Sequence, residues 1–513
     1  MPRSGFHAPA KAPNGFIAVL PVVGLFVLAH LVCLTQYGVF RDELYYIACS
    51  KRLSFGYVDH PPLAMWLLGV VRAILGESLA ALRLTAVAAG AVHLFLVAAI
   101  ARELNGGRYA QALAALVAAM SPTLLFLTHI YSMNVFELVF WSAAALALLV
   151  ALRRGTEPAW IVLGVIVGLG LENKWSMLWF GGGAVVGLAL TACRGVAFTR
   201  GPWLAAAIAV GLFVPNLLWQ AFHGWPTPEF MHNAAAFKML SVSPFAFLKE
   251  QVLSLHPLAA PVWIAGLVTL LVGRFGSRGR VLGWVYVAVL ALLLVNGTSR
   301  PSYLLPAYAP LIAAGAIVCA GLARRPIARA AIVAGLIAVA AALAPFGLPL
   351  LTPERFLAYQ ARLGARTEQS ERGERPALPQ HYADMHGWSE LAERVARVHD
   401  ELSFADRARA TIFTDNYGEA GAIDYFGPAL GLPPANSGHN QYWIWGPRGR
   451  DGSVVITVGG DSTDMAANFA SATAVDTVEC AWCMPYENGQ PIWVGRGLRR
   501  PLAELWPALK HYQ

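Results

Sequence analysis

Long apolar runs separated by short polar loops cover the first 350 residues. A helix needs about 20 largely apolar residues to cross a membrane, and twelve segments approach that pattern. The segment at 63–75 is short, so we expect it to be re-entrant or interfacial, which leaves eleven crossings. The segments lie at about 16–35, 63–75, 79–101, 108–128, 135–152, 158–172, 175–193, 202–221, 252–272, 281–296, 303–322 and 328–350.

The placement of arginine and lysine supports that count. Basic residues concentrate in cytoplasmic loops of membrane proteins, and here every second loop is basic. A crossing at 63–75 would break the alternation, so we predict a cytoplasmic N-terminus and a C-terminal region outside. The inward set is Arg3, Lys11, Arg102, Arg108, Arg153, Arg154, Arg194, Arg200, Arg274, Arg278, Arg280, Arg324, Arg325 and Arg329.

The pattern changes after Leu350, where alternating and amphipathic segments replace the apolar runs. Strands that alternate with helices are typical of a small α/β domain. We therefore predict a transmembrane domain at 1–350 and an extracytoplasmic α/β domain at 351–513. Its predicted elements are a linker at 352–380, an amphipathic helix at 386–403, strands at 410–414, 453–458 and 492–494, and a helix at 419–426.

Composition agrees with a membrane protein. The 513 residues are 57% hydrophobic and 13% charged, whereas about 25% of the residues of soluble proteins are charged. The net charge of +8 is scattered over short loops rather than gathered in a stripe. It therefore favours orientation in a bilayer over binding of nucleic acid.

The first 350 residues contain only two aspartates, Asp42 and Asp59, and both lie in the loop region after the first apolar run. Carboxylates near lipid are costly and usually functional or paired. Asp42 is followed by Glu43 and Tyr45, and Asp59 by His60 and two prolines that stiffen the loop. These features favour a reactive site over the alternative that Asp42 only pairs with a neighbouring base.

Lys174 is one of five lysines in the same 350 residues, and we expect it to open a helix on the outer side. A helix N-terminus with an ammonium group is a natural anion site, although a lysine there also snorkels to the interface. Arg300 offers a second outer cation. His129 alone is weak evidence, because a single histidine is more often a structural hydrogen-bonding residue.

The six cysteines divide by location. Cys33, Cys193 and Cys319 lie in or beside apolar segments, and Cys49 follows the first one. Cys480 and Cys483 form Cys-Ala-Trp-Cys in the outer domain, which leaves a redox pair, a local disulfide or two free thiols open. No second ligand pair stands at a spacing that suits zinc.

At these residues the chain resembles the membrane glycosyltransferases of the protein O-mannosyltransferase and lipid A aminoarabinose transferase type, which have the GT-C fold. The resemblance covers nearly the whole chain, and the acidic motif of the first loop is its most specific part. The matching elements are Arg41-Asp42-Glu43, Asp59-His60-Pro61-Pro62, Lys174, Pro215–Gln220 with His223–Pro226, Tyr303–Pro306 and Asp415–Ala420.

The resemblance implies a transferase that takes a sugar from a polyprenyl phosphate and delivers it to the hydroxyl of a glycolipid such as lipid A, a glycan or a protein. The reaction would take place at the outer face of a bacterial inner membrane. Asp42 would be the catalytic base of an inverting displacement, with Glu43 as a second carboxylate. Lys174 and Arg300 would bind the donor phosphate, and the substrate pocket would comprise Tyr45, Asp59, His60, His129, Glu137 and Tyr303.

One position departs from that family. Many relatives carry an acidic residue at the outer start of the fourth span, where this chain has Asn134. Glu137, about one turn further along, or Glu43 could replace it. We therefore assign no metal and no cofactor.

Two other functional classes remain open for the sequence. A secondary transporter would have a similar number of spans, but it usually carries ionisable groups near the bilayer midplane and inverted repeats. Here the ionisable groups collect at the outer ends of the spans, and no repeat is visible. A non-catalytic envelope scaffold that binds glycan or protein is the third possibility.

Overall fold

The computed structural model of the protein describes residues 12–365, 371–448 and 452–513. They form two compact units. The first unit contains the described residues up to Leu34 with Arg83–Val214 and Val242–Leu348, and the second contains Thr35–Leu82, Pro215–Ser241 and Pro349–Gln513. Arg3 and Lys11 of the predicted charge pattern lie outside the described residues, as do residues 366–370 of the predicted linker.

The described residues from 12 to 350 are almost entirely helical. Short 3-10 helices occur at Ala192–Phe198, Pro257–Ala259, Pro301–Tyr308 and Ala344–Phe346, and a π-helical turn at Ala234–Lys238. The α-helices are α1 Phe16–Val32, α2 Arg41–Ser50, α3 Leu63–Leu75, α4 Leu79–Glu103, α5 Arg108–Ala119, α6 Pro122–His129, α7 Met133–Arg154, α8 Glu157–Asn173, α9 Met177–Ala189, α10 Arg200–Phe222, α11 Pro226–Asn233, α12 Pro244–Leu255, α13 Ala260–Leu271, α14 Gly276–Asn296, α15 Ala309–Leu322 and α16 Pro326–Leu343.

Within the part of the chain that the structure describes, six helical segments are long and apolar enough to cross a membrane, or up to nine if each of three bent pairs is one span. The bent pairs are 108–129, 177–198 and 244–271, with bends of 72°, 115° and 99°. The prediction of eleven crossings is larger because it also counted α1 and α8, which have 17 residues each. The predicted multi-span helical character is confirmed.

The short apolar segment at 63–75 forms a 13-residue helix with the predicted bounds, α3. At about 1.5 Å per residue, it is too short to cross about 30 Å of hydrocarbon. Its re-entrant or interfacial position and the sidedness of the loops stay predictions, as does the domain boundary at residue 350.

The predicted linker at 352–380 was partly wrong, because it contains a regular helix, α17 Pro353–Arg362. Thr352 caps this helix by accepting a hydrogen bond from the backbone N–H of Arg355, and proline occupies its first turn. Phe356 is buried and anchors the helix. The charged composition of the segment concealed this single apolar anchor.

The described C-terminal residues combine strands and helices, as predicted, and their sheet has five strands. The strand order is β2-β1-β3-β5-β4; β1 is parallel to β2 and β3, and β5 is antiparallel to β3 and β4. The elements are α18 Gln380–Ala383, α19 Trp388–Glu401, α20 Phe404–Arg409, β1 Ala410–Thr414, α21 Tyr417–Phe426, β2 Ala435–Ser437, α22 Gln441–Trp445, β3 Val454–Val458, α23 Ser462–Asn468, β4 Phe469–Thr477, β5 Pro491–Leu498 and α24 Leu502–Leu505, with 3-10 turns at Gly427–Leu430, Pro485–Glu487 and Trp506–Leu509.

Three predicted strands match β1, β3 and β5, whereas β2 and β4 were missed. β2 has only three residues, two of them polar, and β4 is built largely from alanine, serine and threonine. Neither shows the apolar alternation that identifies a half-buried strand. Val455, Met465 and Phe469 form a buried core between β3, α23 and β4.

Two glycines let α13 and α15 pack with their backbones in contact. A Cβ atom on Gly266 would overlap the carbonyl oxygen of Leu311, and one on Gly315 would overlap the carbonyl oxygen of Val262. Small residues allow such close approach between membrane helices. The pair therefore has a packing geometry that no larger residue permits.

We predict that Gly315→Ala lowers the stability of the protein in detergent by about 1–3 kcal/mol, because overpacking forces the helices apart. Gly321→Ala is the matched control, since it lies on the same helix with open space around its Cα. Thermal unfolding measured by circular dichroism compares the two. Equal melting temperatures would show that the α13–α15 contact contributes nothing to stability.

Candidate active site

Asp42 lies in the first turn of α2, and its side chain is 32% exposed. The helix begins there because Glu43 folds back and accepts a hydrogen bond from the backbone N–H of Phe40, with an Oε2–N distance of 2.9 Å. Glu43 is fully buried. The predicted second carboxylate is therefore a helix-capping residue, and it does not share the exposure of Asp42.

The partner of Asp42 comes from 375 residues further along the chain. Tyr417 donates its hydroxyl to Asp42 Oδ1 at 2.8 Å. Arg41 Nε lies 3.7 Å from the same oxygen. Among the described residues, none hydrogen-bonds Asp42 Oδ2, so one carboxylate oxygen is held and the other is available.

Tyr417 is fixed because α21 packs closely on α2. Asn416 caps α21 by accepting hydrogen bonds from the N–H groups of Gly418 and Glu419. A Cβ on Gly418 would lie 2.7 Å from the Arg41 side chain, so only glycine permits this spacing. Burial raises the pKa of Tyr417, which keeps its hydroxyl a neutral donor.

Arg41 is a buried cation with several acidic neighbours. Its guanidinium lies 3.4 Å from Asp384 Oδ1 and 3.9 Å from Glu371 Oε1, and it donates a hydrogen bond to the Tyr486 hydroxyl. Burial alone lowers the pKa of Arg41, but Asp384 and the other groups raise it overall. Burial raises the pKa of Asp384 to about 6, although Arg41 opposes that shift.

Two further carboxyl groups, those of Glu419 and Glu487, contact Asn416, which precedes Tyr417 in the chain. Glu419 accepts hydrogen bonds from the backbone of Asp415 and Asn416, and Glu487 Oε1 accepts one from the Asn416 side chain at 3.0 Å. Burial, followed by the mutual repulsion of the two groups, raises the pKa of Glu419, and burial also raises that of Glu487. The two carboxyl groups therefore favour a shared proton.

The second predicted aspartate is held in a similar way. Tyr45 donates its hydroxyl to Asp59 Oδ1 at 2.8 Å, and His60 Nε2 lies 3.9 Å from the same oxygen. Burial raises the pKa of Asp59, and His60 opposes the shift. The rings of Tyr45 and Tyr417 have centroids 4.8 Å apart, so the structure brings Asp42, Tyr45, Asp59 and His60 together.

Lys174 lies in the first unit and follows the end of a helix, which corrects the predicted position at a helix start. It caps the C-terminus of α8, three residues before α9 begins. Its Nζ donates hydrogen bonds to Asn134 Oδ1 and Glu137 Oε2, both at 2.7 Å. The ammonium also lies 5.2 Å from the ring centroid of Tyr303.

The other two predicted residues of this unit are His129 and Arg300. His129 is fully buried, and its Nε2 lies 3.3 Å from Arg83 Nη1. Arg300 is half-buried and precedes the 3-10 helix that carries Tyr303. Asp42 and Lys174 belong to different units. Their predicted convergence on one cavity therefore stays a prediction.

Residues that sequence reasoning had not selected contribute most contacts to the second-unit site: Tyr417, Asp384, Glu371, Tyr486 and Glu487. Tyr417 lies inside the Asp415–Ala420 motif, which was a usable signal. Nothing local distinguishes the other four. The described part of the chain contains no cluster of three metal-ligating side chains, and the assignment of no metal stays a prediction.

Comparisons with known proteins extend the resemblance. Residues 59–219 match the model of the dolichyl-phosphate-mannose-protein mannosyltransferase family. Lipid A galacturonosyltransferase RgtD of Rhizobium johnstonii is 23% identical over 275 residues, or 52% of this chain and 56% of the relative. The undecaprenyl phosphate-α-4-amino-4-deoxy-L-arabinose arabinosyl transferase of Pseudomonas aeruginosa is 28% identical over 173 residues, or 30% of this chain and 31% of the relative.

The chain thus spans 56% and 31% of the length of these two curated relatives. The likeness in structure is more extensive. The crystal structure of ArnT from Cupriavidus metallidurans bound to undecaprenyl phosphate matches with a TM-score of 0.60 and 14% identity, covering 94% of this chain and 98% of that one. The chain therefore has an ArnT-like GT-C membrane fold, as its motifs predicted, and its residues 59–219 are similar to the mannosyltransferase family.

Proposed function

We propose that the protein transfers a sugar from a polyprenyl-phosphate donor to an acceptor hydroxyl at the outer face of a bacterial inner membrane. The observation that carries the proposal is the Asp42 carboxylate, which is partly exposed, fixed at Oδ1 by Tyr417 and available at Oδ2. The names of the relatives support undecaprenyl phosphate as the carrier and lipid A as the acceptor.

Asp42 acts as the general base. Its Oδ2 removes the proton of the acceptor hydroxyl while that oxygen attacks the anomeric carbon from the side opposite the phosphate. The bond from the anomeric carbon to the phosphate oxygen breaks, and the configuration inverts. A base must be held in a fixed orientation, and the hydrogen bond from Tyr417 holds Asp42 Oδ1 while Oδ2 faces the acceptor proton.

The donor phosphodiester carries one negative charge, and the departing polyprenyl phosphate gains a second. Cations that are fixed beside the leaving group therefore stabilise the transition state more than the ground state. Lys174 is our first candidate and Arg300 the second. The contacts of Lys174 with Asn134 and Glu137 hold its ammonium in place, which limits reorganisation during the reaction.

The decisive experiment incubates the purified protein in liposomes with a radiolabelled undecaprenyl-phosphate sugar and lipid A. We expect a new labelled glycolipid. Movement of label across the bilayer without a new glycosidic bond would indicate a transporter, and binding without either would indicate a scaffold.

We predict that Asp42→Asn lowers transfer by at least about 10²-fold while the protein stays folded, since an amide cannot accept the acceptor proton. Asp400→Asn is the matched control, because Asp400 lies in the same unit and its side chain is 66% exposed. Initial rates of labelled product and size-exclusion profiles are compared. Transfer at the wild-type rate by Asp42→Asn would remove Asp42 from the mechanism.

We predict that Tyr417→Phe lowers transfer about tenfold, because a hydrogen bond to a charged group is lost without a change of shape. Initial rates of labelled product are compared with those of the wild-type protein.

Tyr442→Phe is the control for that variant. Tyr442 is also buried and donates its hydroxyl to a carboxylate, Asp424 Oδ2, at 3.1 Å. It should not change the rate. A Tyr417→Phe enzyme with the wild-type rate would restrict Tyr417 to a structural role.

We predict that Lys174→Ala raises the donor KM or lowers kcat by roughly 10²-fold, because a preorganised cation is lost beside the phosphate. Lys249→Ala, an exposed lysine of the same unit, controls for general loss of charge. Donor kinetics are measured at saturating acceptor. Unchanged donor kinetics together with unchanged membrane insertion would show that Lys174 only forms a structural ion pair with Glu137.

A further inference from the structure

Cys480 and Cys483 lie in the loop between β4 and β5, and neither is used by the proposed reaction. All six cysteines of the chain are free thiols in the structure. The backbone N–H of Cys483 donates to Cys480 Sγ at 3.1 Å, and Cys483 Sγ donates to the Cys480 carbonyl at 3.4 Å. The turn therefore folds the two thiol-bearing residues onto each other.

The surroundings favour a thiolate at Cys480. Gly387 stands at the N-terminus of the 14-residue helix α19, and a Cβ on Gly387 would lie 2.9 Å from Cys480 Sγ. The sulfur is thus close to a helix N-terminus, which stabilises negative charge. A hydrogen bond from Cys483 lowers the pKa of Cys480, whereas burial and Glu390 oppose the shift.

The same loop leads directly into the candidate active site. Three residues after Cys483, Tyr486 accepts a hydrogen bond from Arg41, and Glu487 accepts one from Asn416. The segment around Gly387, which lies against Cys480, is also connected to Arg41. The carbonyl of Asp384 accepts hydrogen bonds from the Arg41 backbone at 2.9 Å and from Trp388 Nε1 at 2.9 Å.

We propose that Cys480 and Cys483 are a site of reversible oxidation, whose disulfide fixes the loop that holds Tyr486 and Glu487 against Arg41 and Asn416. The turn between the two sulfurs then no longer opens by rotation about the backbone of Ala481 and Trp482. Oxidation thereby stabilises the support of Asp42, and reduction loosens it.

The oxidant is a disulfide of a thiol–disulfide oxidoreductase or of oxidised glutathione. The Cys480 thiolate attacks one sulfur of that disulfide, forms a mixed disulfide and releases the first thiolate. Cys483 loses its proton and attacks Cys480 Sγ, which releases the second thiolate. Two protein thiols are oxidised, one external disulfide is reduced, and the proton of Cys483 passes to a leaving thiolate.

The first test counts thiols in the full-length protein. Membranes are quenched with acid, denatured and alkylated with maleimide-polyethylene glycol, with and without prior reduction. We expect four modified cysteines before reduction and six after, with four in both cases for the Cys480→Ser/Cys483→Ser variant. Six modified cysteines before reduction, and again after equilibration of the purified protein with oxidised glutathione, would overturn the proposal.

The second test rests on the proposed function and measures sugar transfer with and without dithiothreitol. Reduction should slow the wild-type enzyme about fivefold, the effect of losing roughly one hydrogen bond, and should leave the serine variant unchanged. If alkylation shows six thiols after reduction and the wild-type rate is unchanged, the proposed effect of the disulfide on the site is wrong. Absence of any transfer would count against the proposed function, while the thiol count still decides the oxidation.

Discussion

The structure of the second unit depends on one buried guanidinium, that of Arg41, whose positive charge must be compensated. Arg41 is 8% exposed, and an uncompensated charge in such a position costs several kcal/mol. Its partners come from segments that lie far apart in the chain: Asp384, Glu371 and Tyr486. Arg41 thus ties α2, in the N-terminal part of the sequence, to the residues that surround the C-terminal sheet. Asp42 is the next residue, so its position is a consequence of this assembly.

The arrangement also separates two tasks that one residue could not perform. An arginine that paired tightly with Asp42 would neutralise the charge on which a base depends. Here Arg41 lies nearer to Asp384 Oδ1, at 3.4 Å, than to Asp42 Oδ1, which is 3.7 Å from Arg41 Nε. Tyr417, a neutral donor, holds that oxygen instead. Positioning is therefore supplied by a hydrogen bond, and the cation serves the architecture.

Local patterns predicted the parts of the fold that local physics determines. Apolar runs identified α3 and the long helices, and β-branched residues identified β1 and β3. The polar, three-residue β2 gave no such signal. Asp42 was recognisable because acids are rare in apolar sequence, whereas Tyr417 is 375 residues away and only tertiary packing brings it close. The predicted segments 158–172 and 175–193 lie on either side of Lys174, so the sequence did not show that Lys174 ends α8 rather than begins α9.

Lys174 is anchored by two residues of one helix. Asn134 and Glu137 lie three residues apart on the same face of α7. Both accept hydrogen bonds from the Lys174 ammonium, and Ser176 donates to the other oxygen of Glu137. The Glu137 carboxylate therefore pairs with the lysine, and Asn134 adds a neutral acceptor. Since a fixed cation needs an anchor to stay ordered, these contacts hold the Lys174 ammonium in one position.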